Sequence, residues 1–295
     1  MRLLHLSDWH LGTTLGRVSR VPDHEAVLDE MVAIAAGYRP HLVVHTGDLF
    51  DHSRPAVDDL RLGVETLRRL AAYAPVVVLA GNHDSPHLFE VFDRLLALGA
   101  GGRSTASPVR FVGRARPPAA GGVLSFPGER DEEVRLAPLP FVHPNALLEA
   151  FDVAPERWTA NYTDQVRIYE ERLGDGLAEG FDPNRHVLLF AAHLHVGGAR
   201  FSGSERMVHC TDGYATTVEH LPAVSYAAFG HIHRPQALPG GRARGRYAGS
   251  PIAVDFGEAG EPKGVVTVEA RPGRVAAVQA VPLGGGRPLR RLSGT

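Results

Sequence analysis

The chain has 295 residues, 44% of them apolar and 22% charged, with a formal net charge of -2. That balance suits a globular enzyme and excludes a protein that holds nucleic acid by overall basicity, so an anionic substrate must be drawn by a local site. Cys210 is the only cysteine, which rules out an intrachain disulfide and a thiolate-ligated zinc site and fits a reducing cytoplasm.

Taken in chain order, short apolar runs are each followed at once by polar or glycine residues: Arg2–Ser7, Leu42–Thr46, Val76–Ala80, Val187–Ala192 and Val224–Phe229. Runs this short and rich in Val and Leu predict buried strands. After Asp23, a candidate N-cap, apolar residues at Val27, Leu28, Met31, Val32 and Ala35 mark one helix face. A second stripe runs through Leu60, Val64, Leu67 and Ala71, with Arg61, Arg68 and Arg69 on solvated faces. Strand alternating with helix implies βαβ units and an α/β fold in the first half. Further on, Val109–Val112 and Val134–Pro140 read as strands, Asp152–Gly180 carries a helix at Thr163–Leu173, and Gly264–Glu269 with Arg274–Val281 reads as a hairpin around Arg271-Pro272-Gly273. No run reaches the roughly 18 apolar residues of a membrane span, and the N-terminal apolar stretch is too short for a signal peptide.

Chemistry gathers where the strands end. The five runs deliver Asp8-Trp9-His10, Gly47-Asp48, Gly81-Asn82-His83-Asp84, His193 and Gly230-His231-Ile232-His233. In α/β sheets the site lies beyond the carboxyl ends of the strands, so these five sets are expected to converge. Imidazole with carboxylate suits Mn, Fe or Zn. Asp48, with two oxygens, suits a bridge between two metals, and glycines at 47, 81 and 230 allow tight turns. Two divalent ions facing two carboxylates leave the site electropositive, which suits a phosphate. His195, two residues past His193, is the alternative ligand, while His5 and His45 lie within strands as core or supporting residues.

The order DxH, GD, GNHD, a single His and GHxH resembles the calcineurin-like metallophosphoesterases. The longer text LHLSDWHLGTTL, GDLFDHSRP, GNHDS, APLPF, GHIHRPQ and YAGSPIAVDFGE is similar, within them, to the SbcD family, nuclease subunits of bacterial double-strand-break processing complexes. The resemblance implies a four-layer αββα sandwich with two mixed β-sheets over residues 1–285. It implies that residues 286–295 begin a linker to a capping domain that this chain does not contain. One metal would be held by Asp8, His10, Asp48 and His233, the other by Asp48, Asn82, His193 and His231. His83 would serve catalysis from outside the ligand set by assisting the leaving 3′ oxygen. Asp84 would either orient His83 or shape the turn.

The implied activity is Mn²⁺-dependent exonuclease and endonuclease action in DNA repair or hairpin processing, with Fe, Zn or Mg as alternative ions. The implied partners are DNA, an SbcC-type ATPase and a second copy of the chain, docked through stretches near Asp58–Ala72 and Pro86–Leu98. Arg17, Arg20 and Arg54 lie beside ligand motifs and are candidates for DNA phosphates, and Asp51 is a supporting or substrate-side candidate next to a more exposed His52. Tyr247, Ser250 and Pro251 are candidates for the rim of the site. Two other readings remain: a phosphoesterase acting on small phosphodiesters, cyclic nucleotides or phosphoproteins, and a non-catalytic protein that binds DNA ends.

Overall fold

The computed structural model describes residues 1–99, 108–143, 162–205, 215–240 and 244–291. Its first sheet is built from β1 (Arg2–Leu6), β4 (Leu42–His45), β5 (Val76–Leu79), β6 (Val109–Val112), β15 (Gly264–Glu269) and β16 (Ala277–Pro282), and a small ribbon pairs β2 (Thr14–Leu15) with β3 (Val18–Ser19). The second sheet holds β7 (Leu124–Pro127), β8 (Glu133–Leu139), β9 (His186–His193), β12 (Tyr226–Gly230), β13 (Gln236–Ala237) and β14 (Gly245–Tyr247); β10 (His195–Val196) pairs with β11 (Ala215–Thr216) beside it. The helices are α1 (Val21–Tyr38), α2 (Val57–Ala71), α3 (Pro86–Gly99) and α4 (Tyr162–Ala178).

Strand order in the first sheet is β16-β15-β1-β4-β5-β6, with β1, β4, β5 and β6 parallel and β15 and β16 antiparallel. In the second it is β13-β14-β12-β9-β8-β7, with the four inner strands parallel and both edges antiparallel. Leu4 and Leu6 of β1 pack in one cluster with Leu28 and Met31 of α1 and with Leu67 and Leu70 of α2. Leu3, Val44 and Val77 on the other face meet Val134, Leu136, Val187 and Tyr226 of the second sheet. That sheet's far face, including Phe190 and Phe229, is covered by Val166, Tyr169 and Leu173 of α4. The order helix, sheet, sheet, helix is the expected four-layer αββα sandwich. Burial on both faces also explains why the central strands read as continuous apolar runs rather than alternating ones.

Some boundaries differ from the sequence reading. Helix α1 starts at Val21, before Asp23, because Pro22 has no N–H to satisfy and its fixed φ suits a first turn, while Val21 N bonds to Ser19 Oγ at 3.2 Å and Asp23 N to Arg20 O at 3.0 Å. The Asp23 carboxylate caps nothing there: it receives Arg20 Nε at 2.6 Å and Arg287 Nη2 at 2.7 Å. The second tail strand begins at Ala277, three residues later than expected, because the turn extends through Arg274 N bonding to Arg271 O at 3.2 Å. The start of the Asp152–Gly180 stretch lies outside the described residues. No helix among the described residues is long and apolar enough to cross a membrane.

Candidate metal centre

The parallel strands of both sheets end at one edge, and the loops that follow are stitched together. Asp8 N donates to Gly47 O and His10 N to Asp48 O, both at 3.0 Å. The registers Leu6 opposite His45 and Gly230 opposite His193 bring the last residues of each sheet level. Asp8, His10, Asp48 and His231 all take positive φ, at 50°, 49°, 52° and 92°. Such backbone is costly for residues with a Cβ and is retained where the surroundings force it, typically at functional sites. Gly47 has φ 106°, and a Cβ there would lie 2.2 Å from His193 Nδ1; at Gly81 it would lie 2.1 Å from Asp48 Oδ1. Both glycines are therefore space reserved for the ligating side chains.

The structure brings all seven predicted ligands together, each buried. Asp8, His10 and His233 form one close triad, Asp48, His193 and His231 another, and His10, Asp48 and His83 a third between them. Asn82 Oδ1 completes the second group at 3.0 Å from His193 Nε2 and 2.9 Å from His231 Nδ1. Asp48 meets both sides through a single oxygen. Its Oδ1 accepts His83 N at 2.8 Å, while Oδ2 lies 3.7 Å from His10 Nε2 and 3.3 Å from His193 Nε2.

The proton inventory shows what belongs in the middle. His10 Nδ1 donates to Asp51 Oδ1 at 3.2 Å, His233 Nδ1 to Glu258 Oε1 at 2.9 Å, and His193 Nδ1 to Thr46 O at 2.7 Å. In the neutral rings each Nε2 is then an acceptor. Yet His10 Nε2 and His233 Nε2 face each other at 3.0 Å, and His193 Nε2 faces two side-chain oxygens. Asp8 Oδ2 is buried with no hydrogen-bond partner among the described residues. Acceptors aimed at acceptors in a dry site repel unless a cation sits among them. The donor set and this geometry fit divalent ions.

The titration behaviour agrees. Burial disfavours a charged His193, but Asp48 outweighs it and pushes the ring up to about 9. Burial pushes Asp8 up to about 6, even against the pull of His193 and His233. His231 is held well below its ordinary value by burial and by the charge on His193. Without an ion the cluster gathers protons on some members and sheds them from others.

His83 sits over this cluster, its ring edge-on to His10 at 4.7 Å and its Nδ1 donating to Asp51 O at 2.8 Å. Of the two roles set out for Asp84, its contacts match shaping the turn and not orienting His83. Its two carboxylate oxygens are engaged by Gly81 N at 2.8 Å, Phe50 N at 3.0 Å and Leu49 N at 3.1 Å. Asp84 therefore clamps the GNHD turn to the GD loop, and the His83 imidazole donates instead to the Asp51 carbonyl. Asp51 itself supports His10; although burial opposes it, the hydrogen bond from His10 holds its carboxyl below the ordinary range.

Other candidates separate on burial. Arg20 is not available to a phosphate: it is 2% exposed, bound to Asp23 and to Ala253 O at 2.6 Å, because it fastens the start of α1 to the tail. Arg17 and Arg54 are exposed, as is His52. The ring of His195 packs on Phe201 at 4.8 Å and is outside the ligand triads. His5 bridges Tyr226 Oη and Thr46 Oγ1 inside the core; His45 is buried against Trp9.

Tyr247 and Ser250 do not form a rim, since both are fully buried. Tyr247 Oη donates to Leu194 O and accepts Val196 N, bracing the turn after His193, while Ser250 Oγ donates to Glu258 Oε2 at 3.0 Å. Pro251, beside it, is likewise buried. Sequence reasoning did not single out Glu258. This buried carboxylate holds His233, and Lys263 Nζ in turn donates to it at 2.5 Å. Glu205 adds Oε1 to the His233 amide at 3.1 Å.

The calcineurin-like phosphoesterase family pattern matches residues 1–235. The SbcD subunit of nuclease SbcCD from Bacillus subtilis (strain 168) is 35% identical over 98% of this chain and 71% of its own length. Its namesake from Escherichia coli (strain K12) is 29% identical over 100% of this chain and 71% of its own. Among solved structures, the protein TT1561 of Thermus thermophilus shares the fold with TM-score 0.50 at 15% identity, covering 96% of this chain and 99% of that one.

Proposed function

The chain belongs to the calcineurin-like phosphoesterase family and, within it, to the SbcD nuclease subunits, and from that premise we propose that it hydrolyses phosphodiester bonds of DNA at a two-metal centre. The observation that carries this reading is the pair of ligand groups sharing Asp48 Oδ2. Asp8, His10, Asp48 and His233 would hold one ion, and Asp48, Asn82, His193 and His231 the other. When bound, two divalent ions supply Lewis-acid polarisation of a phosphoryl oxygen and a nucleophile at neutral pH. Mn²⁺ is the ion we propose, with Fe and Zn compatible with the imidazole and carboxylate donors and Mg, which favours oxygen donors, the poorer fit.

The chain's own residues hold the rest of the reaction. His83 Nδ1 donates to Asp51 O, so in the doubly protonated ring Nε2 is the nitrogen whose proton would pass to the leaving 3′ oxygen. Asp51 and Glu258 keep His10 and His233 in the tautomer that presents Nε2 to an ion. Arg17 and Arg54, exposed beside the ligand loops, are proposed contacts to DNA phosphates. We propose DNA ends and hairpins as substrates, an SbcC-type ATPase as partner, and the cytoplasm as the location. Pairing of two copies across α2 and α3 is supported by Val57, Val91 and Leu95, which are 79%, 50% and 59% exposed there.

The reading is tested by cleavage of end-labelled single- and double-stranded DNA with added Mn²⁺, alongside an aryl phosphodiester. DNA cleavage that EDTA abolishes is expected. Substituting His83→Ala should lower its rate about 10²- to 10⁴-fold while bound metal is retained. Hydrolysis of the aryl ester with none of DNA would instead favour a general phosphoesterase.

A further inference from the structure

A cavity of about 410 Å³ lies next to the metal centre, lined among others by Pro86, Arg114, Arg116, Phe141, His143 and Tyr169. Pro86 follows directly on the GNHDS turn that carries Asn82 and His83. Phe141 joins cavity and centre: its amide donates to Ala80 O at 2.9 Å, and its ring lies 6.3 Å from those of His193 and His231, stacked on the latter at 29°. One side of the ring thus meets the ligands while the residue also lines the cavity. The wall is mixed: aromatic and apolar surface from Phe141, Tyr169, Pro86 and Val142, with the exposed side chains of two arginines. Arg114 is tied to Glu90 at 2.9 Å, whereas Arg116 makes no ion pair among the described residues.

We propose that this cavity is a nucleotide subsite. It takes the nucleoside adjoining the phosphate held at the metal centre, and Arg116, helped by Arg114, receives the next phosphate of the strand. Its size suits one nucleoside, its aromatic wall suits a base face, and a guanidinium with no ion pair among the described residues suits a phosphate. The inference rests on the nuclease reading for its biological meaning, but its test does not need DNA cleavage.

The test is inhibition of bis(p-nitrophenyl) phosphate hydrolysis by two probes, thymidine 5′-monophosphate and thymidine 3′,5′-bisphosphate, in the Mn²⁺-loaded chain. The bisphosphate carries a second phosphate for the arginines, and about tenfold tighter inhibition than by the monophosphate is expected. Arg116→Glu should erase that ratio while leaving kcat/KM for the aryl ester within about twofold, and Arg116→Lys should keep most of it. Equal inhibition by the two probes in the unsubstituted chain, or a ratio that survives Arg116→Glu, overturns the proposal. DNA cleavage by the same samples judges the nuclease reading separately. A bisphosphate preference without DNA cleavage would leave the subsite standing and remove that reading.

Discussion

Substituting Glu258→Gln perturbs one half of the metal centre without replacing a proposed ligand. Glu258 is fully buried; it accepts His233 Nδ1 at 2.9 Å, Ser250 Oγ at 3.0 Å, Lys263 Nζ at 2.5 Å and the Ser204 hydroxyl. An amide keeps the shape but loses the charge that fixes the His233 tautomer and strengthens its Nε2 as a donor. Loss of such an outer carboxylate typically costs 10- to 100-fold in metal affinity, about 1.4–2.8 kcal/mol at one site. Lys263 would also lose its closest anion, though Glu261 at 3.6 Å remains. The cost to the metal-free fold is therefore placed near the lower end of the range for breaking a buried pair, about 3 kcal/mol.

Burial opposes ionisation of Glu258, but His233 and Lys263 outweigh it and hold the carboxyl well below its ordinary value. The associated stability is present above the unfolded carboxylate range and is lost as pH falls toward the lowered value. Calorimetric Mn²⁺ titration should show the site containing His233 weakened and the site containing His193 nearly unchanged. Equal weakening of both, or of neither, in a folded Glu258→Gln chain would refute the account of this carboxylate.

Two further outcomes follow from other parts of the molecule. Gly81→Ala places a Cβ 2.1 Å from Asp48 Oδ1 and 2.3 Å from its amide; displacement of Asp48 should lower Mn²⁺ affinity at both sites and destabilise the chain by about 1–3 kcal/mol, read by titration and chemical unfolding. Glu170, buried on α4 against Thr216 Oγ1 at 2.9 Å, is pushed by burial up to about 8. The folded chain then keeps a proton that the unfolded chain has released, so stability falls as pH rises from about 4.5 to 8. Glu170→Gln should flatten that fall and stabilise the chain at pH 8 by roughly 2–4 kcal/mol, measured as unfolding free energy against pH.

The ligands were legible because they follow apolar runs whose paired strands end side by side, as with Asp8, Asp48 and His193; Asn82 and His231 sit one step further on, in turns held by the carboxylates of Asp84 and Asp8. The second sheet was harder to read. Its edge strand β7 has only four residues, and β14 only three, too short for a pattern. Nothing local says that β15 returns beside β1, since that pairing joins residues more than 260 apart; the four layers came from family resemblance. Side-chain direction was the other gap. Arg20 and Asp84 carry charges beside ligand motifs, yet their contacts turn inward, to Asp23 and to three amides. Glu258 lies 25 positions after His233 in a glycine- and proline-rich tail, with no spacing to link the two. Its only sequence signal is its place at the end of YAGSPIAVDFGE.

The most direct test of the two-metal centre is the Mn²⁺ stoichiometry of the chain and of its Asp48→Asn variant, by titration with metal analysis after gel filtration. Two ions per chain, with both sites lost or strongly weakened together in Asp48→Asn, is the predicted result. One ion per chain, or a variant that loses one site and keeps the other intact, would contradict a centre whose two ligand groups share Asp48.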